Sequence, residues 1–218
     1  MIERVLPECV AAVEAWGDVR DAPLFPSEEL VVRGALPARH AEFATARSCA
    51  RRALGKLGVP EQAIAAGAAG EPCWPSGCVG SITHCRGYRA SAVARSQEVS
   101  ALGIDAEPDL PLPTGVLERI ALPAELRHVN DSRGSLATRN PDCLLFCAKE
   151  AALKAWFPLM ARRLAFARVS VTFDPLTQTF TASSLDSAVG SSAPPVLPGA
   201  WLTARGVLLT AVALSSRE

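Results

Sequence analysis

The sequence feature that most restricts the fold is a long helical pattern followed by several strand patterns, which occurs once in each half of the chain. Over residues 36–58, Phe43, Ala46, Ala50 and further apolar residues recur at spacings of three and four, which is typical of one buried helix face. A second helical pattern covers residues 142–159. Because strands follow both helices, we predict an α+β fold of two similar lobes, each with an antiparallel sheet packed against a long helix.

The strand patterns lie between segments rich in Gly, Pro and Ser. They occupy residues 78–83, 90–95 and 99–104 in the first half, and residues 169–174, 177–182, 201–204 and 207–214 in the second. A short helix is predicted over residues 123–129, a loop over residues 67–77, and an exposed loop over residues 183–200. The DLPLP segment after Pro108 indicates a boundary, so we predict an N-terminal lobe of residues 1–108 and a C-terminal lobe of residues 109–218.

Composition argues against several classes of protein. Of the 218 residues, 49% are hydrophobic, which disfavours a disordered chain, and no apolar run is long enough to span a bilayer. The N-terminus lacks the pattern of a secretory signal, so we expect a cytoplasmic protein without membrane association. The seven cysteines are odd in number and form no CxxC pair, so we expect small, reduced side chains rather than disulfides. Zero net charge gives no indication of nucleic-acid binding.

Charge is distributed unevenly along the chain. Residues 31–57 contain six Lys or Arg and one acid, Glu42, whereas residues 98–131 contain seven acids and two Arg. Residues 146–168 contain five basic residues and one acid, Glu150. This order suits a site that binds a phosphorylated ligand through a metal and through cations. On charge alone, ordinary solvated helix faces are the simpler interpretation.

Two carboxylates stand two residues apart in the segment Gly103-Ile104-Asp105-Ala106-Glu107. Alternate residues of a strand point to the same face, so Asp105 and Glu107 are predicted to lie side by side at the end of a strand. Adjacent carboxylates repel each other unless a cation neutralises them, and Mg²⁺ is commonly bound by one or two carboxylates with phosphates and water. An isolated D-x-E pair is also common at solvated strand ends, so this motif alone is weak.

Glu150 and Lys154 lie four residues apart in the second long helix and therefore share one face. Such a pair is usually a surface ion pair worth a few tenths of a kcal/mol. The functional interpretation gives Glu150 the role of a base and Lys154 that of neutralising a phosphate. Ser81, Thr83 and His84 form a third candidate, because small hydroxyl residues before a histidine offer donors to a phosphate.

Together these segments resemble the 4′-phosphopantetheinyl transferases of the Sfp superfamily, nearest to its enterobactin-synthetase-associated branch of actinobacterial type. The matching motifs are R-x-x-E-F-x-x-x-R-x-C-A-R-x-A-L at 39–54, P-x-W-P-x-G at 72–77, G-S-I-T-H-C at 80–85, G-I-D-A-E at 103–107 and F-C-A-K-E-A-A-L-K-A-W-F at 146–157. They occur in the family's order and cover the larger part of the chain.

The resemblance implies two lobes related by a pseudo-twofold axis, with coenzyme A bound between them. It also implies transfer of phosphopantetheine from coenzyme A to a serine of an acyl, polyketide or peptidyl carrier protein, with release of 3′,5′-ADP. Asp105, Glu107 and Glu150 would bind Mg²⁺, with Mn²⁺ as an alternative. Glu150 would accept the serine proton, and Lys154 would neutralise or protonate the departing phosphate.

The resemblance further assigns the nucleotide ligands. His84 and the segment from Ser81 to Thr83 would contact the diphosphate or the 3′-phosphate, and Arg39, Arg47 and Arg51 would bind the 3′-phosphate. Arg162 and Arg163, in the basic stretch after the catalytic helix, are predicted to receive the acidic helix of the carrier. The sequence leaves carriers of fatty-acid, polyketide and nonribosomal-peptide synthesis open, and the resemblance suggests a broad tolerance for carriers of secondary metabolism. The internal repeat makes a monomer the simpler expectation.

Two departures from the family pattern stand out. Ala106, between the two carboxylates, cannot ligate a metal, so water would fill that position. Residues 65–71 contain no basic residue, whereas many relatives have one shortly before the P-x-W-P run. Two other readings stay open: a different metal-dependent phosphate enzyme using the same carboxylates, and a non-catalytic protein that binds coenzyme A or a carrier.

Overall fold

A computed structural model describes residues 1–131, 138–186 and 196–216. The first half contains strand β1 (Ala11–Trp16), helices α1 (Pro26–Glu29) and α2 (Pro37–Lys56), and strands β2 (Cys78–Cys85), β3 (Tyr88–Arg95) and β4 (Val99–Pro108). The second half contains helices α3 (Val116–Ile120), α4 (Pro123–Asp131) and α5 (Pro141–Met160), and strands β5 (Val169–Asp174), β6 (Thr179–Ser184), β7 (Val196–Ala204) and β8 (Val207–Ser215). Short 3₁₀ turns cover Ile2–Val5 and Phe166–Arg168.

The two long helices confirm the sequence prediction. Helix α2 begins with Pro37 in its first turn, where the missing N–H costs nothing, and Gly58 follows its end at a φ of 70°. Helix α5 spans 20 residues and includes Pro158 in its last turn. Arg47 and Arg51, which the apolar pattern places mostly off the buried stripe, are buried at 5% and 6% exposure.

The strands form two antiparallel sheets, which confirms the α+β class. The first has the order β1-β3-β2, and the second has the order β4-β8-β7-β6-β5. Strand β1 was not predicted from the sequence, because its short, Ala-rich segment carries little strand signal. The segment predicted as a loop over residues 183–200 is strand at both ends, and residues 187–195 lie outside the described part of the chain.

Strand β4 groups with the C-terminal strands, because it pairs with β8 from Val99 to Pro108. The predicted strand ends at Ile104, but pairing continues through Asp105 and Glu107, so both carboxylates lie within the strand. If the chain is divided according to which sheet each strand joins, the division falls in the turn before Val99. The sequence instead predicts the lobe boundary after Pro108.

Side-chain hydroxyls join the two sheets along β2 and β4. The backbone N–H of Ile104 donates to Ser81 Oγ at 3.0 Å, and that of Ala106 donates to Thr83 Oγ1 at 2.9 Å. These bonds satisfy donors on the edge of β4 that faces away from β8. A shared apolar core that includes Ala90 of β3 and Ile104 of β4 lies behind this junction, so the two sheets form one packed unit.

All seven cysteines are free thiols, and Cys73 is the exposed one among them. Among the described residues, the helices are all too short or too polar to cross a membrane.

Candidate active site

The centre of the site is Asp105, in the middle of the contact between β2, β4 and α5. Its Oδ1 atom accepts hydrogen bonds from Lys154 Nζ at 2.7 Å and from the Thr83 hydroxyl at 3.2 Å. Its Oδ2 atom is buried and has no hydrogen-bond partner. One carboxylate oxygen is therefore fixed by the protein, while the other still lacks the partner that a buried oxygen requires.

The approach of α5 to β4 depends on Gly103. A Cβ atom at this position would lie 1.9 Å from the carbonyl oxygen of Ala151 and 2.8 Å from the backbone nitrogen of Ala155. Only a residue without a side chain lets the helix pack this closely against the strand. Lys154 Nζ consequently reaches the carbonyl oxygen of Ile104 at 3.1 Å as well as Asp105.

The electrostatics of the site are those of a negative cluster with one internal cation. Burial, together with the charges of Asp105 and Glu150, raises the pKa of Glu107 to about 7, although Lys154 opposes the shift. Burial and Asp105 likewise raise the pKa of Glu150, against the opposing charges of Lys154 and Arg163. Burial lowers the pKa of Lys154, but Asp105 and Glu150 outweigh it and raise the value above its ordinary range. Three acids thus share one lysine, and a further cation would relieve their repulsion.

The carboxylates fit a divalent cation that is completed by substrate. Within residues 1–131, 138–186 and 196–216, no three Asp, Glu, His or Cys side chains converge closely enough to hold a metal by themselves. Mg²⁺ does not require such a cage, since it usually binds one or two carboxylates with phosphate oxygens and water. The partnerless Oδ2 of Asp105 and the raised pKa of Glu107 agree with this kind of site.

Arg39 and His84 come together at the N-terminal end of α2. Arg39 Nη1 lies 3.1 Å from Nε2 of His84. The Arg39 side chain is 50% exposed and that of His84 is 38% exposed, so both are open to a ligand. Ser81 and Thr83, in contrast, direct their hydroxyls at β4, so their predicted role in phosphate binding stays a prediction.

Arg47 and Arg51 differ in the partners that they have. Arg47 stacks its guanidinium over the Phe43 ring at 4.4 Å, and its buried Nε has no hydrogen-bond partner. Arg51 donates to both carboxylate oxygens of the fully buried Glu28, at 3.0 and 2.8 Å. The predicted nucleotide role of Arg51 stays a prediction, and its guanidinium serves at least to anchor the segment before α2.

Sequence reasoning assigned no role to Glu42, which contacts both Arg39 and His84. A signal was present, because Glu42 is the single acid among the six basic residues of 31–57 and lies three residues after Arg39. Its partner Arg89 on β3 carried no such signal.

Comparison with known proteins gives matches over most of the chain. The family model described as the 4′-phosphopantetheinyl transferase N-terminal domain matches residues 27–94, and that of the 4′-phosphopantetheinyl transferase superfamily matches residues 101–192. 4′-Phosphopantetheinyl transferase Svp from Streptomyces mobaraensis is 43% identical over 225 residues, which cover 99% of this chain and 90% of the relative. PptT from Mycobacterium tuberculosis is 43% identical over 98% of each chain, and Npt from Nocardia iowensis is 42% identical over 98% of this chain and 99% of its own.

Proposed function

This chain belongs to the 4′-phosphopantetheinyl transferase superfamily, and on that premise we propose how its own residues bind coenzyme A and activate the acceptor serine. The enzyme transfers phosphopantetheine from coenzyme A to carrier proteins. In this reaction the serine oxygen bonds to the phosphorus that carries the pantetheine group. The bond from that phosphorus to the bridging oxygen breaks, and 3′,5′-ADP leaves.

Asp105, Glu107 and Glu150 would hold the metal only together with phosphate oxygens and water, since these carboxylates do not form a complete metal site by themselves. Mg²⁺, or Mn²⁺ in its place, supplies charge neutralisation to the diphosphate when it is bound. Support comes from the Asp105 oxygen that lacks a partner, and from burial and the charges of Asp105 and Glu150, which raise the pKa of Glu107 to about 7. Asp105→Asn should therefore raise the Mg²⁺ concentration needed for half-maximal activity. Calorimetry should also show that this variant binds both a divalent cation and coenzyme A more weakly than wild type does.

Glu150 is the proposed general base for the serine hydroxyl. Burial and the neighbouring Asp105 raise its pKa toward the working pH, where a base is most effective. Lys154, fixed by Asp105 at 2.7 Å, would neutralise the charge that develops on the departing phosphate. Phosphoryl transfer depends mainly on positioning and charge stabilisation, and these residues provide both.

Arg39, Arg47 and His84 are the proposed ligands of the nucleotide phosphates. Arg47 supports this assignment most directly, because a guanidinium that is 5% exposed has a buried donor without a partner. A buried donor of this kind costs free energy until an acceptor arrives. Arg51 would contribute through its charge, since its three guanidinium nitrogens already contact Glu28, Glu61 and the carbonyl oxygen of Pro23.

The observation that carries the proposal is the contact of Lys154 with Asp105 across α5 and β4, with Glu107 and Glu150 adjacent. The test incubates the full chain with coenzyme A, Mg²⁺ and an apo carrier, and measures the phosphopantetheine mass on the carrier serine. Glu150→Gln should reduce transfer by roughly 10²-fold or more while coenzyme A still binds. Glu118→Gln, an exposed change on α3, is the matched control and should transfer normally. A variant at Glu150 with wild-type transfer would contradict the base assignment, and no transfer to a panel of carriers would defeat the function itself.

The carrier is proposed to dock beside the end of α5. Arg162 Nη2 is paired with Asp186 at 2.8 Å, and Arg163 donates to the carbonyl oxygen of Ala69 in the loop before β2. Both guanidinium groups are available to an acidic helix at modest cost, because Arg162 is itself 44% exposed and the partner of Arg163 is a neutral oxygen. We further propose carriers of polyketide and nonribosomal-peptide synthesis, a cytoplasmic location, a monomer, and two lobes that divide at residue 108.

A further inference from the structure

Glu42 lies at the centre of a cluster of cationic side chains from α2, β2 and β3. Its Oε1 atom accepts a hydrogen bond from Arg39 and lies 3.1 Å from Nδ1 of His84. Its Oε2 atom lies 3.7 Å from Nη2 of Arg89. One carboxylate that is only 22% exposed therefore faces three cationic or ionisable groups.

The hydrogen bonds around His84 define which ring nitrogen carries the proton. A guanidinium can only donate, so Nε2 of His84, 3.1 Å from Arg39 Nη1, must accept. In the neutral ring the proton is then on Nδ1, from which it is donated to Glu42. Burial lowers the pKa of His84, as do the charges of Arg39, Lys154 and Arg89, although Glu42 raises it. A neutral ring in the free enzyme agrees with that balance.

Arg89 contacts the second carboxylate oxygen of Glu42 and is itself fixed by several hydrogen bonds. Its Nε and Nη2 atoms each lie 2.9 Å from Oδ1 of Asp18, and its Nη1 donates to the carbonyl oxygens of Cys85 and Tyr88. The side chain is 7% exposed, so these contacts leave it little freedom. Glu42 is thus supported by a fixed cation on one oxygen and orients two ligand-facing residues with the other.

We infer that Glu42 is a positioning residue for coenzyme A binding, which orients Arg39 and His84 toward the nucleotide phosphates without touching the reacting atoms. This inference rests on the proposed function of Arg39 and His84 as phosphate ligands. A phosphate oxygen only accepts hydrogen bonds, so His84 can donate to it only when Nε2 is also protonated. The Glu42 carboxylate on Nδ1 stabilises that charged ring, as outer carboxylates do for metal-bound histidines.

The first test is ¹⁵N NMR of the histidine side chains in the free enzyme. Wild-type His84 should show a protonated Nδ1 and an unprotonated Nε2. Glu42→Gln keeps an acceptor and should retain this tautomer. Glu42→Ala removes both the acceptor at Nδ1 and the carboxylate that holds Arg39 beside Nε2, so it should lose the tautomer. Glu29→Ala is the matched control, because Glu29 Oε2 lies 3.0 Å from Nε2 of a different histidine, His40. This variant should leave the His84 signals unchanged. An unchanged His84 tautomer in Glu42→Ala would overturn the inference.

The second test compares binding with turnover. Both Glu42 variants should weaken 3′,5′-ADP binding, by about tenfold or more for Glu42→Ala. The reason is that the charged contacts of Glu42 with Arg39 and His84 are lost. The KM for coenzyme A should rise accordingly, while kcat at saturating coenzyme A stays within about threefold of wild type. Glu42→Gln keeps the test valid if Glu42→Ala does not fold, and Glu29→Ala should bind normally.

The double variant Arg39→Ala/His84→Ala separates this inference from the function on which it rests. If that variant binds 3′,5′-ADP as wild type does, the proposed phosphate role fails. If it binds weakly while the Glu42 variants bind normally, the positioning role alone fails. If Glu42 acts through these two residues, adding Glu42→Ala to the double variant should weaken binding little further.

Discussion

Gly103→Ala tests whether the contact of α5 with β4 positions the catalytic groups. The new Cβ would lie 1.9 Å from the Ala151 carbonyl oxygen, whereas ordinary contacts begin at 3.4 Å. The obstacle is helix backbone, which cannot rotate aside as a flexible side chain can. The helix must therefore shift by about 1.5 Å, a movement that is large beside the 2.7 Å contact of Lys154 with Asp105.

The expected cost has two parts. Overpacking of this kind destabilises a protein by about 1–3 kcal/mol, which urea unfolding will measure. Misplacement of catalytic groups by about 1 Å can lower turnover by about 10²-fold, so transfer should fall at least that far in the fraction that remains folded. The assay is the rate of phosphopantetheine transfer to an apo carrier, at a temperature at which circular dichroism shows the variant to be folded.

Gly55→Ala is the matched control for the same chemical change. A Cβ at Gly55, in the last turns of α2, meets no atom within 4 Å, and Ala is the better helix former. This variant should be as stable as wild type or more stable by up to about 1 kcal/mol, with normal transfer. If Gly103→Ala kept both wild-type stability and wild-type turnover, the close approach would not be what positions Lys154.

Three further predictions concern other contacts of the fold and the site. Lys149→Met should lower the free energy of unfolding by about 3–5 kcal/mol, since it strands the buried Glu125 carboxylate 2.7 Å away, and urea titration will measure it. Glu14→Gln should destabilise the protein at neutral pH: burial raises the pKa of Glu14, but hydrogen bonds from the Met1 amino group, a backbone N–H and a tyrosine hydroxyl outweigh it and lower the value. That stabilisation is complete above the ordinary value of 4.5 and is lost as the pH falls through the lowered folded-state pKa, so wild type and variant should converge in acid melts. Charge reversal at Arg162 and Arg163 should raise the KM for the carrier about tenfold and leave that for coenzyme A nearly unchanged, and equal changes in both would contradict the docking proposal.

Local patterns in the sequence were enough for most of the secondary structure. The apolar spacing from Phe43 onward predicted a helix over residues 36–58, which lies within two residues of the observed bounds of α2. Strand β1 was not predicted because Ala11–Trp16 is dominated by alanine, which has little strand preference. It is a strand because it pairs with β3, which is distant in sequence. Local propensity does not report pairing of that kind.

The contacts within the candidate site could not be predicted from local sequence patterns as the secondary structure could. Spacing placed Glu150 and Lys154 on one helix face, but nothing local indicated that Lys154 reaches Asp105, 49 residues away. The resemblance to a family supplied that connection. Arg51 illustrates the limit, because its partner Glu28 is 23 residues earlier and buries a guanidinium that the periodic pattern leaves off the apolar stripe.

The hydrogen bonds between β2 hydroxyls and the β4 backbone bring residues from both halves of the chain into one site. Thr83 belongs to the first sheet, Asp105 to the second, and Lys154 to the helix on the second, yet all three meet at one carboxylate oxygen. Neither half can complete this arrangement alone. Two fragments cut in the turn before Val99 would each be inactive, and recovered transfer activity after mixing would report their reassembly directly.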